Sequence, residues 1–293
     1  MPTLVAIDGQ HVQPESACIS VFDRGFLYGD SVFEVLRTYG GRPFALASHL
    51  ERLARSAGRV FIELPVTLDE LAREIEGAIR ASGNGEAYVR IMLTRGVGDT
   101  LGLDPGLAHR PTRVIFVSEL VSPPAIAYEQ GIAVISYRGQ RVTDASEAAG
   151  AKVGNYLLAV LANRAARQAG ALEALIVDAH GRIVEGATSN VFAVLGGRLI
   201  TPPESDGILA GITRQHLLRV AAELSIPASE QSLELAQAER ADELFISSSI
   251  RELLPVVALD GQPIGAGVPG PLTRRLLEAF RDSCWKSVGI RRP

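Results

Sequence analysis

Three short segments carry groups that can do chemistry, in a fixed order along the chain. Lys152 comes first, one of very few lysines in a sequence whose positive charge is nearly all arginine. Its neighbours Ala149-Gly150-Ala151 and Val153-Gly154 are small or apolar, a setting that can partly desolvate the amine. Desolvation lowers a lysine pKa and makes the neutral amine available to condense with a carbonyl. Glu185 follows, in Glu185-Gly186-Ala187-Thr188-Ser189-Asn190. A carboxylate facing a pyridine nitrogen keeps that nitrogen protonated and makes the ring an electron sink. Gly211-Ile212-Thr213-Arg214 is third. Amides at a helix start point outward, the helix dipole favours an anion there, and Thr213 adds a hydroxyl donor. Amine, carboxylate and phosphate cradle are together what a protein needs to hold pyridoxal 5′-phosphate (PLP).

Taken singly, each segment has an ordinary reading. Lys152 can be a surface lysine at a loop-to-helix junction, and Glu185 a turn glutamate in solvent. Thr188, Ser189 and Asn190 can bond their own backbone, and Thr213 can be a helix N-cap. Arg52 lies off the apolar stripe of its helix, either on a solvated face or as a second phosphate ligand. Tyr156 is four residues after Lys152, about one helical turn, so both can face one pocket.

The elements that must position these groups follow from punctuation and periodicity. Val5 to Val12 reads as a hairpin around Asp8-Gly9, and Gly40-Gly41 marks a second between 32–36 and 42–46. Ser48-His49-Leu50-Glu51 and Thr67-Leu68-Asp69-Glu70 are capping boxes, each followed by apolar residues at helical spacing. Residues 88–93 and 113–117 are strand-like, joined by the glycine-rich loop 96–102. Val121-Ser122-Pro123-Pro124 forces an extended path and marks a linker. Beyond it, 131–137, 172–177, 183–184, 191–194, 199–200, 244–246 and 256–259 read as strands. Helices are expected over about 155–168, from 211 onward, and over 271–281. The division expected is a small α/β domain over 1–120, a linker over 121–130 and a larger, strand-rich domain over 131–293.

The chain has 293 residues, with 29 basic and 33 acidic side chains and a net charge of -4. That balance argues against nucleic acid, which calls for a basic stripe. Cys18 and Cys284 are the two cysteines, so a disulfide framework or a cysteine zinc site is not expected. No Gly-Lys-Ser/Thr phosphate loop, GxSxG elbow or HExxH zinc signature is present, and no metal is expected. No apolar run approaches a membrane span. Met1-Pro2-Thr3-Leu4 lacks the features of a secretory leader, so a cytoplasmic location is the expectation.

Together the segments DRGFLYGDSVFEVLR, HLERLARSA, AKVGNYL, EGATSNVF and GITR resemble the fold-type IV, or class IV, PLP-dependent aminotransferases, in that family's order. The family includes branched-chain aminotransferases, D-amino acid aminotransferases and 4-amino-4-deoxychorismate lyases. The resemblance implies an α/β (α+β) fold, a small α/β domain followed by a larger pseudo-barrel domain. It implies Lys152 as the residue condensed with the cofactor aldehyde, Glu185 at the pyridine nitrogen and Tyr156 near the ring hydroxyl. Arg52, Gly211, Ile212 and Thr213 would hold the phosphate, with Ser248 and Ser249 as further candidates. Leu209 would pack on the ring, with Ser189 and Asn190 beside the cofactor. Homodimers are implied too, with the loop near Leu101-Gly102-Leu103 reaching into the partner's site.

For the amino acid and 2-oxo acid substrates, Tyr88 and Arg90 match branched-chain enzymes, where such residues meet carboxylates. Tyr28 and Phe33 match side-chain pocket positions, and Arg37, Ser249, Ile250 and Arg251 join the substrate group. After Thr94-Arg95-Gly96 the chain lacks the Pro-Arg-x-His trap of D-amino acid enzymes. Against that, Asn155 sits three residues after Lys152, a spacing nearer to the D-amino acid and lyase groups. Arg251 is either aimed at a carboxylate or turned to solvent. The expected activity is transamination between a branched-chain L-amino acid and 2-oxoglutarate, with D-amino acid transamination or aminodeoxychorismate lysis as alternatives.

Overall fold

A computed structural model of the chain describes residues 4–139 and 146–293. Met1–Thr3, part of the segment read for a leader, lie outside the described residues. Two compact units emerge. One gathers the chain up to Val121 with Ala151–Asn155 and Ser287–Arg291, and the other takes the remaining described residues.

The first unit is one antiparallel sheet with two helices on one face. Strands β1 (Leu4–Ile7) and β2 (Gln10–Val12) form the Asp8-Gly9 hairpin. A short helix α1 (Arg24–Tyr28) precedes β3 (Ser31–Tyr39) and β4 (Arg42–Pro43). Helices α2 (Leu46–Arg59) and α3 (Leu68–Ser82) lead to β5 (Ala87–Thr94) and β6 (Thr112–Glu119). Strand order is β2-β1-β6-β5-β3-β4. Alternation along β5 sends Ala87, Val89 and Ile91 into the core with Leu50, Leu53, Leu71 and Ile75 from the helices.

The two expected capping boxes fare differently. Thr67 and Glu70 make both halves of theirs, so α3 starts where the sequence indicates. Ser48 does not cap α2, which begins two residues earlier behind Ala45 in the left-handed region. The β3–β4 turn delivers the chain into the helix before the box is reached.

The second unit is built on a mixed sheet. After the extended Pro123-Pro124 a short helix α4 (Ala125–Glu129) leads into β7 (Ile132–Arg138) and later α5 (Leu157–Gln168). Strands β8 (Glu173–Val177), β9 (Arg182–Gly186), β10 (Asn190–Leu195) and β11 (Arg198–Thr201) precede α6 (Ile212–Glu223). Then come β12 (Ala228–Glu230), β13 (Leu233–Glu234), α7 (Leu235–Ala238), β14 (Glu243–Ser248), β15 (Glu252–Leu259), β16 (Gln262–Pro263) and α8 (Pro271–Ser287). The main path runs β12-β11-β10-β14-β15-β7-β8-β9-β13, with β16 on β15. Ala162 and Ala166 let α5 lie close against Ala174 of β8, since small side chains permit near approach. Among the described residues no helix is long and apolar enough to cross a membrane.

Candidate active site

In the first unit the chemistry gathers around β3. Val32 and Leu36 face the helices, so Glu34 between them must sit in the apolar layer, and it is fully buried. A buried carboxylate needs partners. Arg52 supplies a two-point pair, Nε to Oε1 at 2.7 Å and Nη2 to Oε2 at 2.8 Å. His49 Nδ1 meets Oε2 at 2.8 Å. His49 and Arg52 are three residues apart on α2, so one face of the helix presents both. Arg52 is therefore buried rather than on a solvated face. Burial alone would push the Glu34 carboxyl up, but the Arg52 charge and the hydrogen bonds from Arg52 and His49 outweigh it and hold it at about 2. Burial pushes the His49 ring down, against the pull of Glu34.

Lys152 is half-buried. Its N–H donates to Ser56 Oγ at 3.1 Å, one turn beyond Arg52 on α2. Its carbonyl accepts from Phe33 N–H at 3.0 Å, and Gly154 N–H donates to the Ser31 carbonyl at 2.7 Å. The Lys152 Nζ lies 4.6 Å from the centroid of the Phe33 ring. These bonds, with the Val32–Val153 bridge, hold the segment against β3 and outside any helix. That corrects the helical-turn argument for Lys152 and Tyr156. Helix α5 starts at Leu157 with Tyr156 as its N-cap residue, two residues after the expected start near Asn155, and ends at Gln168 as expected.

The other face of β3 carries Phe33 and Arg37, and β5 adds Tyr88 and Arg90. Arg37 pairs directly with Tyr88 across the strands, and the Arg90 guanidinium lies 4.2 Å from the Phe33 ring centroid. Four residues expected at the substrate thus share one face. Tyr28 belongs to α1 and is partly exposed, with the Arg24 guanidinium 5.3 Å from its ring centroid. Arg24 is buried and donates to the carbonyls of Gly102, Leu103 and Asp104, which fixes the loop that leaves Leu101 and Leu103 exposed.

In the second unit Glu185 is buried near the end of β9, and its Oε2 accepts from the Leu209 N–H at 3.0 Å. Asn190 Nδ2 donates to the Leu209 carbonyl at 3.1 Å, so the same residue is gripped from both sides. Two residues later α6 begins with Gly211 as its N-cap residue, which has no side chain with which to cap the helix. Thr213 is therefore not the cap but the second helical residue, buried with Ile212. Gly211 is required here: a Cβ would lie 1.8 Å from Asn190 Oδ1.

Ser248, Ser249, Ile250 and Arg251 are half-buried and run from the end of β14 through the turn into β15. Arg251 is aimed at a carboxylate of this chain's own. Its guanidinium pairs with Glu173, a fully buried residue that also accepts from Thr188 N–H at 2.7 Å and from the Thr188 and Ser189 hydroxyls. Tyr128 Oη donates to the Arg251 carbonyl at 3.0 Å. Glu252, at φ 56°, is held by Arg281 at 2.7 Å.

Sequence reasoning assigns no site role to Glu34, His49, Ser56 or Glu173. The signal available is an acidic residue on the core face of an apolar strand, a placement that demands a cationic or hydrogen-bonding partner.

The family model for amino-transferase class IV matches residues 31–259, which takes in both clusters. The chain belongs to the class IV amino-transferases. It is 40% identical over 278 residues to a putative branched-chain-amino-acid aminotransferase of Methanocaldococcus jannaschii, covering 95% of each chain. It is 32% identical to the D-alanine aminotransferase of Staphylococcus haemolyticus, covering 95% of this chain and 96% of that one. A solved branched-chain amino acid aminotransferase from T.th., with pyridoxamine 5′-phosphate, superposes with a TM-score of 0.92 at 31% identity, covering 100% of this chain and 96% of that one. This class IV amino-transferase is accordingly a PLP-dependent transaminase. Its fold is the family's, a small antiparallel-sheet domain plus a curled half-barrel sheet.

Proposed function

We propose that the enzyme moves an amino group between a branched-chain L-amino acid and 2-oxoglutarate. The observation that carries this reading is the aromatic and cationic face made by Phe33, Arg37, Tyr88 and Arg90, with the Lys152 amine over the Phe33 ring. Aromatic rings suit an apolar side chain, and guanidinium groups suit a carboxylate.

The residues present fit PLP. The α6 start, with a glycine N-cap where a Cβ would collide, suits an anion. We assign Gly211, Ile212, Thr213 and Arg52 to the phosphate, with Ser248 and Ser249 beside it. Glu185 takes the ring nitrogen and Tyr156 the ring hydroxyl, while Leu209, Ser189 and Asn190 line the ring. When bound, PLP supplies an aldehyde for the amine and a ring that withdraws electrons from the substrate Cα. Lys152 Nζ then moves the proton at Cα, and the two backbone hydrogen bonds of Lys152 fix the main chain from which that side chain extends. Glu185 holds the proton on the ring nitrogen. Arg37 and Arg90 receive the carboxylates, and Tyr28 and Ile250 are each assigned to the substrate. Arg251, engaged by Glu173, contributes as a strut for its turn.

The exposed apolar side chains of Phe22, Phe26, Leu101 and Leu103 support a homodimer, because exposed apolar surface is commonly covered by a partner. Neither cysteine is disulfide-bonded, which fits a cytoplasmic setting.

The test is a substrate panel with 2-oxoglutarate as acceptor. L-leucine, L-isoleucine and L-valine should react with the highest kcat/KM. D-alanine reacting far faster than L-leucine would replace this reading with the second one, D-amino acid transamination, which the likeness to the staphylococcal enzyme favours.

A further inference from the structure

We propose that Glu34 is a positioning residue that fixes the Arg52 guanidinium as a directed phosphate donor, with His49 bracing the carboxylate. The inference rests on the PLP reading above and adds to it two residues on the opposite face of β3 from Phe33.

Glu34 holds Arg52 along its Nε–Nη2 edge, at 2.7 and 2.8 Å. A guanidinium gripped along one edge is fixed in plane and direction, whereas a single contact would let it swing. The carboxylate is itself fixed, since His49 takes Oε2 from the neighbouring turn at 2.8 Å. With the His49 ring kept neutral by its burial, Nδ1–H donates to Glu34, and Nε2 is a buried nitrogen without a partner among the described residues. The brace is thus neutral, and it adds no second cation to repel Arg52.

Location separates this triad from an ordinary buried ion pair. His49, Arg52 and Ser56 occupy one face of α2, and all three are buried. Ser56 accepts from the Lys152 N–H, and the Lys152 charge is felt at the His49 ring. The fixed guanidinium therefore lies on the helix face that also holds the lysine segment. Apolar residues at both positions 34 and 52 would avoid the desolvation of two charges, whereas removing Glu34 alone strands a buried cation. The pair makes physical sense as a device for aiming Arg52. A fixed donor binds a phosphate without first losing its own rotamer freedom.

The test compares two aldehydes that differ in the phosphate alone. Enzyme stripped of its cofactor is titrated with PLP and with pyridoxal, for the wild type, Glu34→Gln and Arg52→Lys. The proposal expects Glu34→Gln to weaken PLP binding by about tenfold or more and to leave pyridoxal binding unchanged. Arg52→Lys, which keeps the charge and loses the two-point grip, should do the same, and the double variant should be little worse than Arg52→Lys alone. Equal losses for both aldehydes would place Glu34 in support of Lys152 or of the fold and overturn the proposal. Unchanged or tighter PLP binding would overturn it too. If Glu34→Gln does not fold by circular dichroism, Glu34→Asp decides: it keeps the charge and withdraws the oxygens by one methylene. A few-fold loss confined to PLP supports the proposal, and an unchanged affinity contradicts it. Wild-type enzyme that bound neither aldehyde would instead remove the PLP reading itself.

Discussion

Glu34 and Glu173 are both fully buried glutamates paired with an arginine, yet they do different work. Glu34 faces a cation that is itself buried and a histidine three residues away from it on the same helix. Glu173 faces a half-buried Arg251 and, besides it, one amide and two hydroxyls of the Thr188-Ser189 turn. Charge holds the first cluster together. Hydrogen-bond geometry holds the second, because hydroxyls can turn and Arg251 can reach water. The same residue type at the same burial aims a ligand-binding group in one unit and ties together two turns in the other.

The sharpest challenge to that contrast is to remove each charge in turn. Glu34→Gln leaves a buried cation unmatched and should cost about 3–5 kcal/mol of stability. Chemical denaturation measures it; a cost below that of Glu173→Gln would reverse the distinction. Acid provides the next test. Because the Glu34 carboxyl is depressed from 4.5 to about 2, its stabilisation is complete above the unfolded value and is lost as pH falls through about 2. Wild type should therefore lose up to roughly 3 kcal/mol over that window, and Glu34→Gln should lack this part of the slope. Glu173→Gln should cost about 1–3 kcal/mol, the scale of an unmet hydrogen bond rather than of a stranded charge. It should weaken PLP and pyridoxal alike, since it loosens turns rather than aiming a phosphate donor. The smallest effect belongs to Ser56→Ala, about 1–2 kcal/mol for one part-buried amide that loses its partner. As Ser56 holds the lysine segment, both aldehydes should lose affinity equally, in contrast with Glu34→Gln.

Much of the fold is legible because its signals are local. The Asp8-Gly9 hairpin, the Thr67–Glu70 capping box and the alternation of β5 each specify structure within a few residues. Ser48 shows the limit: a box read correctly as a pattern is overruled when the preceding turn starts the helix early. The Lys152–Asn155 segment escapes sequence reading for a different reason. Its conformation comes from Ser31, Phe33 and Ser56, about a hundred residues away, so nothing near Lys152 announces it. Arg251 is undecidable from sequence for the same cause, since its partner Glu173 lies 78 residues earlier. Glu34 stands in plain view as a charge in the run Val32-Phe33-Glu34-Val35-Leu36. Reading it needs the further step of asking which cation on α2 could neutralise it.

The assignment on which the rest depends is Lys152 as the cofactor's covalent anchor. Borohydride reduction of the purified holoenzyme, followed by peptide mass spectrometry, reads it out. We expect a pyridoxyl group on Lys152 and none on Lys286. A tag elsewhere, or no tag on any peptide, would contradict the assignment.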